Sequence, residues 1–488
     1  MRRLSYTVLA VLLPAALAAG TTVESLPGPR VNPWSFELLS NSRFSVHSGI
    51  ADSLPRQVLA NVLWAMNRAP RLGESRELYV ATPDNVWRFD PGSMTLELHR
   101  AGDRRYSSGA AFEVGVACAR HEDAGFAIQA GLLAATAFPD QGAAGCPMKW
   151  AADHANANWD PQTEILMTSV FGRTAPEVLD STLVAFSSDT SLPAPHTFGP
   201  DTFELVLMNL AQDTAFSSFA ISLETAAQLL WAAYGVSPHH AWNGRRGLTV
   251  PSAVAGYFLT GRVYLVTGAG VERYHNRLPG SNLTTADHRL ETVVVGDRRP
   301  ELRLASSLVP PSAPAYVVVC CSDTASYQHV QEAGFAGFQL LCQARALGLS
   351  GHLAGPLSPL ERDAIGIALD LPLDHYPVLV FSVGEPATGA PEPDMPLPVE
   401  ITRGRPVIAP GEVLRVEYLL RRPGNVRAEV FDLLGRPVTR LFDERLPAGY
   451  HSFEWDGTDG QGRPVKRGSY VIGVFGPGSV AQHKVAVF

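Results

Sequence analysis

Beyond residue 20 the chain has no apolar run long enough to span a bilayer, and nowhere does it gather a dense patch of Lys and Arg. The first absence excludes a later transmembrane helix. The second, with a formal net charge of −8, argues against nucleic acid or an anionic membrane surface as a partner. Metal-ligand spacing is missing too. His239-His240, His154 beside Asp153 and His375 after Asp374 form no His-x-x-x-His pair, so solvated or core histidines are the favoured reading and no metal site is assigned. There is no Gly-x-Ser-x-Gly elbow and no zinc-protease motif, which removes two common hydrolase classes. Gly268-Ala269-Gly270 lacks the following helix of a dinucleotide fingerprint and reads as a hairpin turn.

What is present begins with a leader. Arg2 and Arg3 precede an apolar stretch from Tyr6 to Leu17, too short to span, and Ala16-Leu17-Ala18 offers small residues for cleavage. Residues 1–20 therefore read as a signal peptide and the chain as exported: periplasmic, surface-bound or secreted. The 488 residues, 46% hydrophobic and 18% charged, leave material for about three globular domains. Five cysteines (Cys118, Cys146, Cys320, Cys321 and Cys342) leave at least one unpaired. Cys320 and Cys321 end the apolar run from Ala315, and small core residues are favoured there over a disulfide from Cys342 to one of that pair.

The most informative feature is internal repetition. Val62-Leu63-Trp64-Ala65 returns as Leu229-Leu230-Trp231-Ala232. Tyr79-Val80-Ala81-Thr82 with Val86 to Phe89 returns as Tyr264-Leu265-Val266-Thr267 with Val271 to Tyr274. Gly102-Asp103-Arg104-Arg105 returns as Gly296-Asp297-Arg298-Arg299, and Ala124-Gly125-Phe126-Ala127 as Ala333-Gly334-Phe335-Ala336. The order is kept while the offset grows from 167 to 209, so the second copy carries insertions. The pattern implies one domain duplicated in tandem, residues 35–185 and 200–386, packed as an intramolecular pseudo-dimer.

Each copy opens on an amphipathic helix. In the second, Leu223, Ala226, Ala227, Leu230 and Trp231 recur at helical spacing behind Ser222 as N-cap. A hairpin follows around Gly268-Ala269-Gly270, then an Ala/Gly-rich helix from Val330 to Leu347 closed by Gly348, then a buried strand from Pro377 to Val383. The class is α+β, helices against an antiparallel sheet. Residues 387–398 hold four prolines and read as an extended linker. Beyond it, short alternating strands at Leu414–Tyr418, Asn425–Asp432, His451–Trp455 and Ser469–Phe475 imply a small all-β sandwich over residues 399–488.

The duplicated region resembles the nitroreductase family, and within it the SagB-type dehydrogenases. That family cradles the phosphate of flavin mononucleotide (FMN) with an Arg-Arg-Ser-x-Arg segment, and after a Leu-Leu-Trp-Ala helix lays a Pro-Ser-Ala segment along the flavin ring. Arg43-Phe44-Ser45-Val46-His47 stands at the cradle position of the first copy, with His47 in place of the last arginine. The second copy has Ala211-Gln212-Asp213-Thr214-Ala215 there, with no cation. The ring segment is reversed: the second copy keeps Arg246 and Pro251-Ser252-Ala253, while the first runs from Pro70 to Tyr79 without an equivalent. Strand ends differ likewise, Phe171-Gly172-Arg173 against Val383-Gly384-Glu385-Pro386. The resemblance implies one composite flavin site. Arg43, Ser45, His47 and Arg173 would serve the phosphate, and Arg246, Pro251, Ser252 and Ala253 the ring; no catalytic acid or base is assigned. Arginine offers a planar fork that matches a phosphate dianion. The implied activity is FMN-dependent oxidoreduction of a small-molecule or peptide substrate. The alternative is a non-catalytic surface binding protein on a degenerate pseudo-dimer.

The C-terminal region resembles the FlgD-type immunoglobulin-like domain. Val430-Phe431-Asp432-Leu433-Leu434-Gly435-Arg436-Pro437-Val438, Gly449-Tyr450, Trp455-Asp456-Gly457 with Asp459 and Gly462, and Gly468-Ser469-Tyr470 carry the likeness. It implies attachment, sorting or spacing through secretion or cell-surface machinery. Trp455 is expected in the sandwich core, with Asp456 and Asp459 shaping a turn.

Overall fold

The computed structural model describes residues 22–44, 53–73, 75–173, 191–240, 244–278, 284–387, 399–405, 407–409, 411–420, 424–432, 436–447, 449–476 and 479–488. Residues 1–20, where the sequence reads as a leader, Ser45, His47 and nearly all of the proline-rich linker lie outside them.

The first half runs β1 (Val23–Ser25), α1 (Phe36–Ser42), α2 (Arg56–Arg68), β2 (Arg76–Ala81), β3 (Asn85–Asp90), β4 (Thr95–Ala101), β5 (Phe112–Cys118), α3 (His121–Thr136), β6 (Ala143–Met148), α4 (Lys149–Asn158) and β7 (Ile165–Arg173). The second runs α5 (Phe203–Met208), α6 (Leu223–Tyr234), β8 (Val236–His240), β9 (Arg246–Leu248), β10 (Val263–Val266), β11 (Gly270–Arg277), β12 (Ala286–Val295), α7 (Arg299–Ala305), β13 (Ala315–Cys321), α8 (Tyr327–Ala346), β14 (Ser350–Ala354), α9 (Pro359–Ala368) and β15 (Tyr376–Gly384).

The two large sheets share one strand order. The first is β1-β4-β3-β2-β5-β7-β6, and the second is β12-β11-β10-β13-β15-β14, with an isolated bridge from Ser191 to Arg289 of β12 where the first has β1. The repeated sequences occupy equivalent places down to register: Tyr79 pairs with Arg88 on β2 and β3, and Tyr264 with Arg273 on β10 and β11. Both Gly-Asp-x-Arg turns close alike. Arg105 clasps Asp103 and Arg299 clasps Asp297 through two guanidinium nitrogens each, behind Gly102 and Gly296 at φ +89° and +99°, a region open mainly to glycine.

The halves meet through their apolar helices. Every residue of α3 from Glu122 to Ala135, and of α8 from Val330 to Ala344, is buried. A helix buried on all sides lies in the middle of a protein, and these two, mostly apolar but carrying buried groups such as Asp123 and Glu332, pack against each other there. A second seam joins the N-caps of α1 and α5: Ser35 and Thr202 bridge in antiparallel register, each also accepting an amide of its own helix, Leu38 and Leu205. Such caps contribute about 1 kcal/mol apiece.

All five cysteines are buried and none forms a disulfide, as the core reading expects. No helix among the described residues is long and apolar enough to cross a membrane.

The C-terminal region is a sandwich of two sheets. β16 (Val399–Gly404), β18 (Leu414–Leu420) and β21 (Gly449–Trp455) form one. β17 (Val407–Ile408), β23 (Ser479–Val487), β22 (Gly468–Gly476), β19 (Gly424–Asp432) and β20 (Pro437–Leu446) form the other. Trp455 is buried with Leu414, Val430, Ile472 and Val485, and its indole donates to Thr458 O at 2.9 Å. Asp456 and Asp459 cap the backbone of that turn, at Thr458, Gln461 and Arg463.

Candidate functional site

The halves diverge most between the second helix and the hairpin. Residues 69–75 join α2 to β2, whereas 235–262 join α6 to β10. The longer connection holds β8, β9 and a single helical turn at Ala253–Ala255. It is moored to its own half: Trp231 Nε1 donates to Val236 O and Asn276 Nδ2 to Tyr234 O. Gly247 is required where β9 passes β8, because a Cβ there would lie 2.9 Å from Ser237 Oγ and 3.1 Å from His239 O.

Arg43 and Phe44, at the end of α1, meet this connection. Arg43 is 4% exposed, and its guanidinium donates to the carbonyls of Thr249 (3.3 Å) and Leu248 (3.0 Å). Burial pulls its pKa down to about 10, which leaves it cationic at neutral pH. Gln129 of α3 and Gln339 of α8 donate to the same Thr249 carbonyl. Phe44 packs on His239 with ring centroids 5.3 Å apart. Between these groups lies a pocket of about 40 Å³, partly open to solvent, lined by Arg43 and Phe44 from the first half and by His239, Gly247, Pro251, Ser252 and Tyr257 among others from the second.

Cations dominate the surroundings. Arg245 donates to Ala255 O at 2.8 Å, Arg246 donates to Ser237 O at 3.1 Å and meets His240, and Arg277 lies 4.3 Å from the Tyr257 ring centroid. Against these stands Glu332 of α8, buried, accepting from Ser252 Oγ and Tyr234 Oη. Buried cations favour an anionic ligand.

The structure thus brings Arg43, Pro251 and Ser252 to one pocket. Ala253 begins the helical turn beside it, and Arg246 sits beneath, on β9. Arg173 is apart from them: it is exposed at the end of β7 and paired with Ala143, outside the pocket lining. Ser45 and His47 lie outside the described residues. The corresponding stretch of the second half is stitched to β14 by Gln212 and Asp213, which bond Leu353 N and Ser350 Oγ.

Sequence reasoning missed Phe44, Ser237, Gly247 and Tyr257, treated His239 and His240 as core or solvated groups, and overlooked Glu332. One signal was available: the repeat offset jumps from 167 at Trp64/Trp231 to 185 at Tyr79/Tyr264, which marks an 18-residue insertion where the pocket stands.

A solved structure from Anabaena variabilis, described as a nitroreductase, superposes on 70% of this chain and 93% of its own with a TM-score of 0.51, at 12% identity. The body has the nitroreductase fold. A further structure described as a nitroreductase, from Ralstonia eutropha, is matched over 98% of its length by 43% of this chain at 20% identity and a TM-score of 0.33. An FMN-dependent nitroreductase from Clostridium difficile is matched over 92% of its length by 39% of this chain at 13% identity and a TM-score of 0.26. Residues 408–476 match the family model of the FlgD Ig-like domain. No curated protein matches the chain.

Proposed function

We propose that the body, on its nitroreductase fold, is an FMN-dependent oxidoreductase with a single composite site, produced by tandem duplication of a SagB-type unit and exported to act on a small-molecule or peptide substrate. The observation that carries this reading is the shared pocket: Arg43 of one half and Pro251-Ser252 of the other line it together. Arg43, with Ser45 and His47, would hold the phosphate, without Arg173, which stands outside the pocket lining; Arg246 and the Pro251-Ser252-Ala253 backbone would flank the ring.

Bound there, the flavin would supply hydride transfer, the chemistry that belongs to the cofactor. The chain's own contribution is position and field. Arg43 offers a desolvated positive charge, which acts more strongly than a hydrated one. Pro251 presents a side with no N–H, and Arg43 in the pocket lining would favour the reduced, more negative state of a ligand. The C-terminal sandwich would serve attachment or sorting by secretion or surface machinery rather than chemistry.

The bonds from Arg43 to the Leu248 and Thr249 carbonyls favour a second reading, in which the same residues serve as a scaffold seam in a non-catalytic binding protein. Expression with excess FMN, desalting and a visible spectrum separates the two. About one flavin per chain supports the composite site; about two would show that the reciprocal site also works; none moves the assignment to the scaffold.

A further inference from the structure

Ser237 of β8 is 0% exposed, and its hydroxyl oxygen has no hydrogen-bond partner among the described residues. Its carbonyl accepts Arg246 Nε at 3.1 Å, while the side chain is left over. A buried hydroxyl without a partner costs stability, and folded chains keep few of them. Alanine at this position would shed that cost. Packing of the ligand-free protein therefore gives no reason for the hydroxyl.

Its place in the fold gives one. Ser237 lines the pocket shared by the two halves, with Arg43, Gly247 and Pro251. The position a Cβ would take on Gly247 is 2.9 Å from Ser237 Oγ, which is hydrogen-bonding distance. Gly247 is not in the left-handed region, so its backbone would suit any residue, and it is the space that calls for glycine. Both strands belong to the longer connection of the second half. The corresponding connection of the first, residues 69–75, is too short to hold such a pair. The leftover hydroxyl thus occurs only on the insertion that walls the pocket.

We propose that Ser237 is a ligand-contact residue of this pocket, its hydroxyl donating to an oxygen of the bound ligand. The proposal deepens the flavin reading above and rests on it. Arg43, in the same lining, selects the chemistry. It stays cationic at neutral pH, and a guanidinium donates without accepting. A group that enters beside both a guanidinium and a hydroxyl is an oxygen acceptor, either a phosphoryl oxygen or a carbonyl. The space of about 40 Å³ takes a group of that size rather than a ring system. The ligand is therefore held here by one oxygen-bearing end, with its remainder on the side open to solvent.

The test compares wild type, Ser237→Ala and Ser169→Ala in the full chain. Ser169 of β7 is the control: its hydroxyl is likewise buried without a partner among the described residues, but it stands outside the pocket lining. The readouts are the urea midpoint of the ligand-free proteins and the affinity for FMN and for riboflavin by fluorescence titration. We expect both substitutions to raise the urea midpoint, because each removes an unsatisfied buried hydroxyl. Only Ser237→Ala should weaken FMN binding, by about tenfold. Riboflavin locates the oxygen: a loss for FMN alone assigns a phosphoryl oxygen, and a loss for both assigns a ring carbonyl. Unaltered FMN affinity in Ser237→Ala, an equal loss in Ser169→Ala, or a lowered urea midpoint in Ser237→Ala would overturn the proposal. If wild type binds neither flavin, the flavin reading falls separately and inorganic phosphate becomes the probe. Phosphate must then raise the urea midpoint of wild type more than that of Ser237→Ala, and an equal rise overturns the proposal.

Discussion

Gly125 and Gly334, equivalent residues of the two halves, touch each other. A Cβ on Gly125 would lie 2.4 Å from Gln331 O and 3.0 Å from Gly334 Cα, and one on Gly334 would lie 2.5 Å from Glu122 O and 3.1 Å from Gly125 Cα. Gln331 is the counterpart of Glu122, so the contact is self-complementary, the signature of an isologous interface. Exposed helix glycines normally gain about 1 kcal/mol on replacement by alanine. Here the backbone of the partner helix blocks the methyl. Gly125→Ala and Gly334→Ala are expected to destabilise by about 1–3 kcal/mol each, read as a lower urea midpoint.

Arg43→Ala is expected to lose flavin on desalting, because removing a charge-assisted donor costs about 1.5–3 kcal/mol, about tenfold to a hundredfold in affinity. Arg299→Ala is expected to keep it, since Arg299 serves Asp297 and the Pro314 carbonyl. Equal loss in both variants, or retention in both, sinks the assignment of Arg43 to the site.

Glu204 of α5 is 2% exposed, accepts from Asn32 at 3.0 Å, and is lifted by burial from 4.5 to about 7. An acid whose folded pKa exceeds its unfolded one stabilises below the unfolded value, and that contribution is lost as pH rises through the folded value. Stability attributable to Glu204 therefore declines between about pH 4.5 and pH 7. Glu204→Gln should be near neutral at about pH 4 and more stable than wild type at about pH 8, by at most about 3 kcal/mol. Denaturant melts at the two pH values decide it; an advantage confined to acid pH would refute it.

Trp455→Ala should cost about 3–5 kcal/mol in the sandwich, since the ring is 2% exposed and its N–H is committed to Thr458. The expected sign is early loss of structure in residues 399–488 by hydrogen exchange, with the α3 and α8 amides unchanged. Equal weakening throughout would contradict it.

Much of the fold was legible because repetition constrains register. Matching Tyr79 to Tyr264 and Arg88 to Arg273 already implied two equivalent hairpins, and both pair as matched. Ser222 was readable as an N-cap because a hydroxyl preceded a helical apolar pattern, and it does accept Thr225 N. The repeat of Ser35-Phe36-Glu37-Leu38 in Thr202-Phe203-Glu204-Leu205 went unread because the helices it opens are short. Strand β20 went unread for another reason: Thr439 to Leu446 is half-buried or exposed throughout and mixes charge with apolar residues, so the alternation that marks a strand is blurred. Of the site, Arg43, Pro251 and Ser252 were legible as a motif. Glu332 was not, since a glutamate within a helix ordinarily reads as a solvated face, and only the packing of α8 against the pocket segment shows that it is enclosed.

In a dimer of identical chains every substitution is written twice, so one half cannot change without its mate. Ser35 and Thr202, bridged across the seam, belong to one chain. A longer connection on one side and a short one on the other can therefore differ within one chain, as Asp123 and Glu332 differ across the seam.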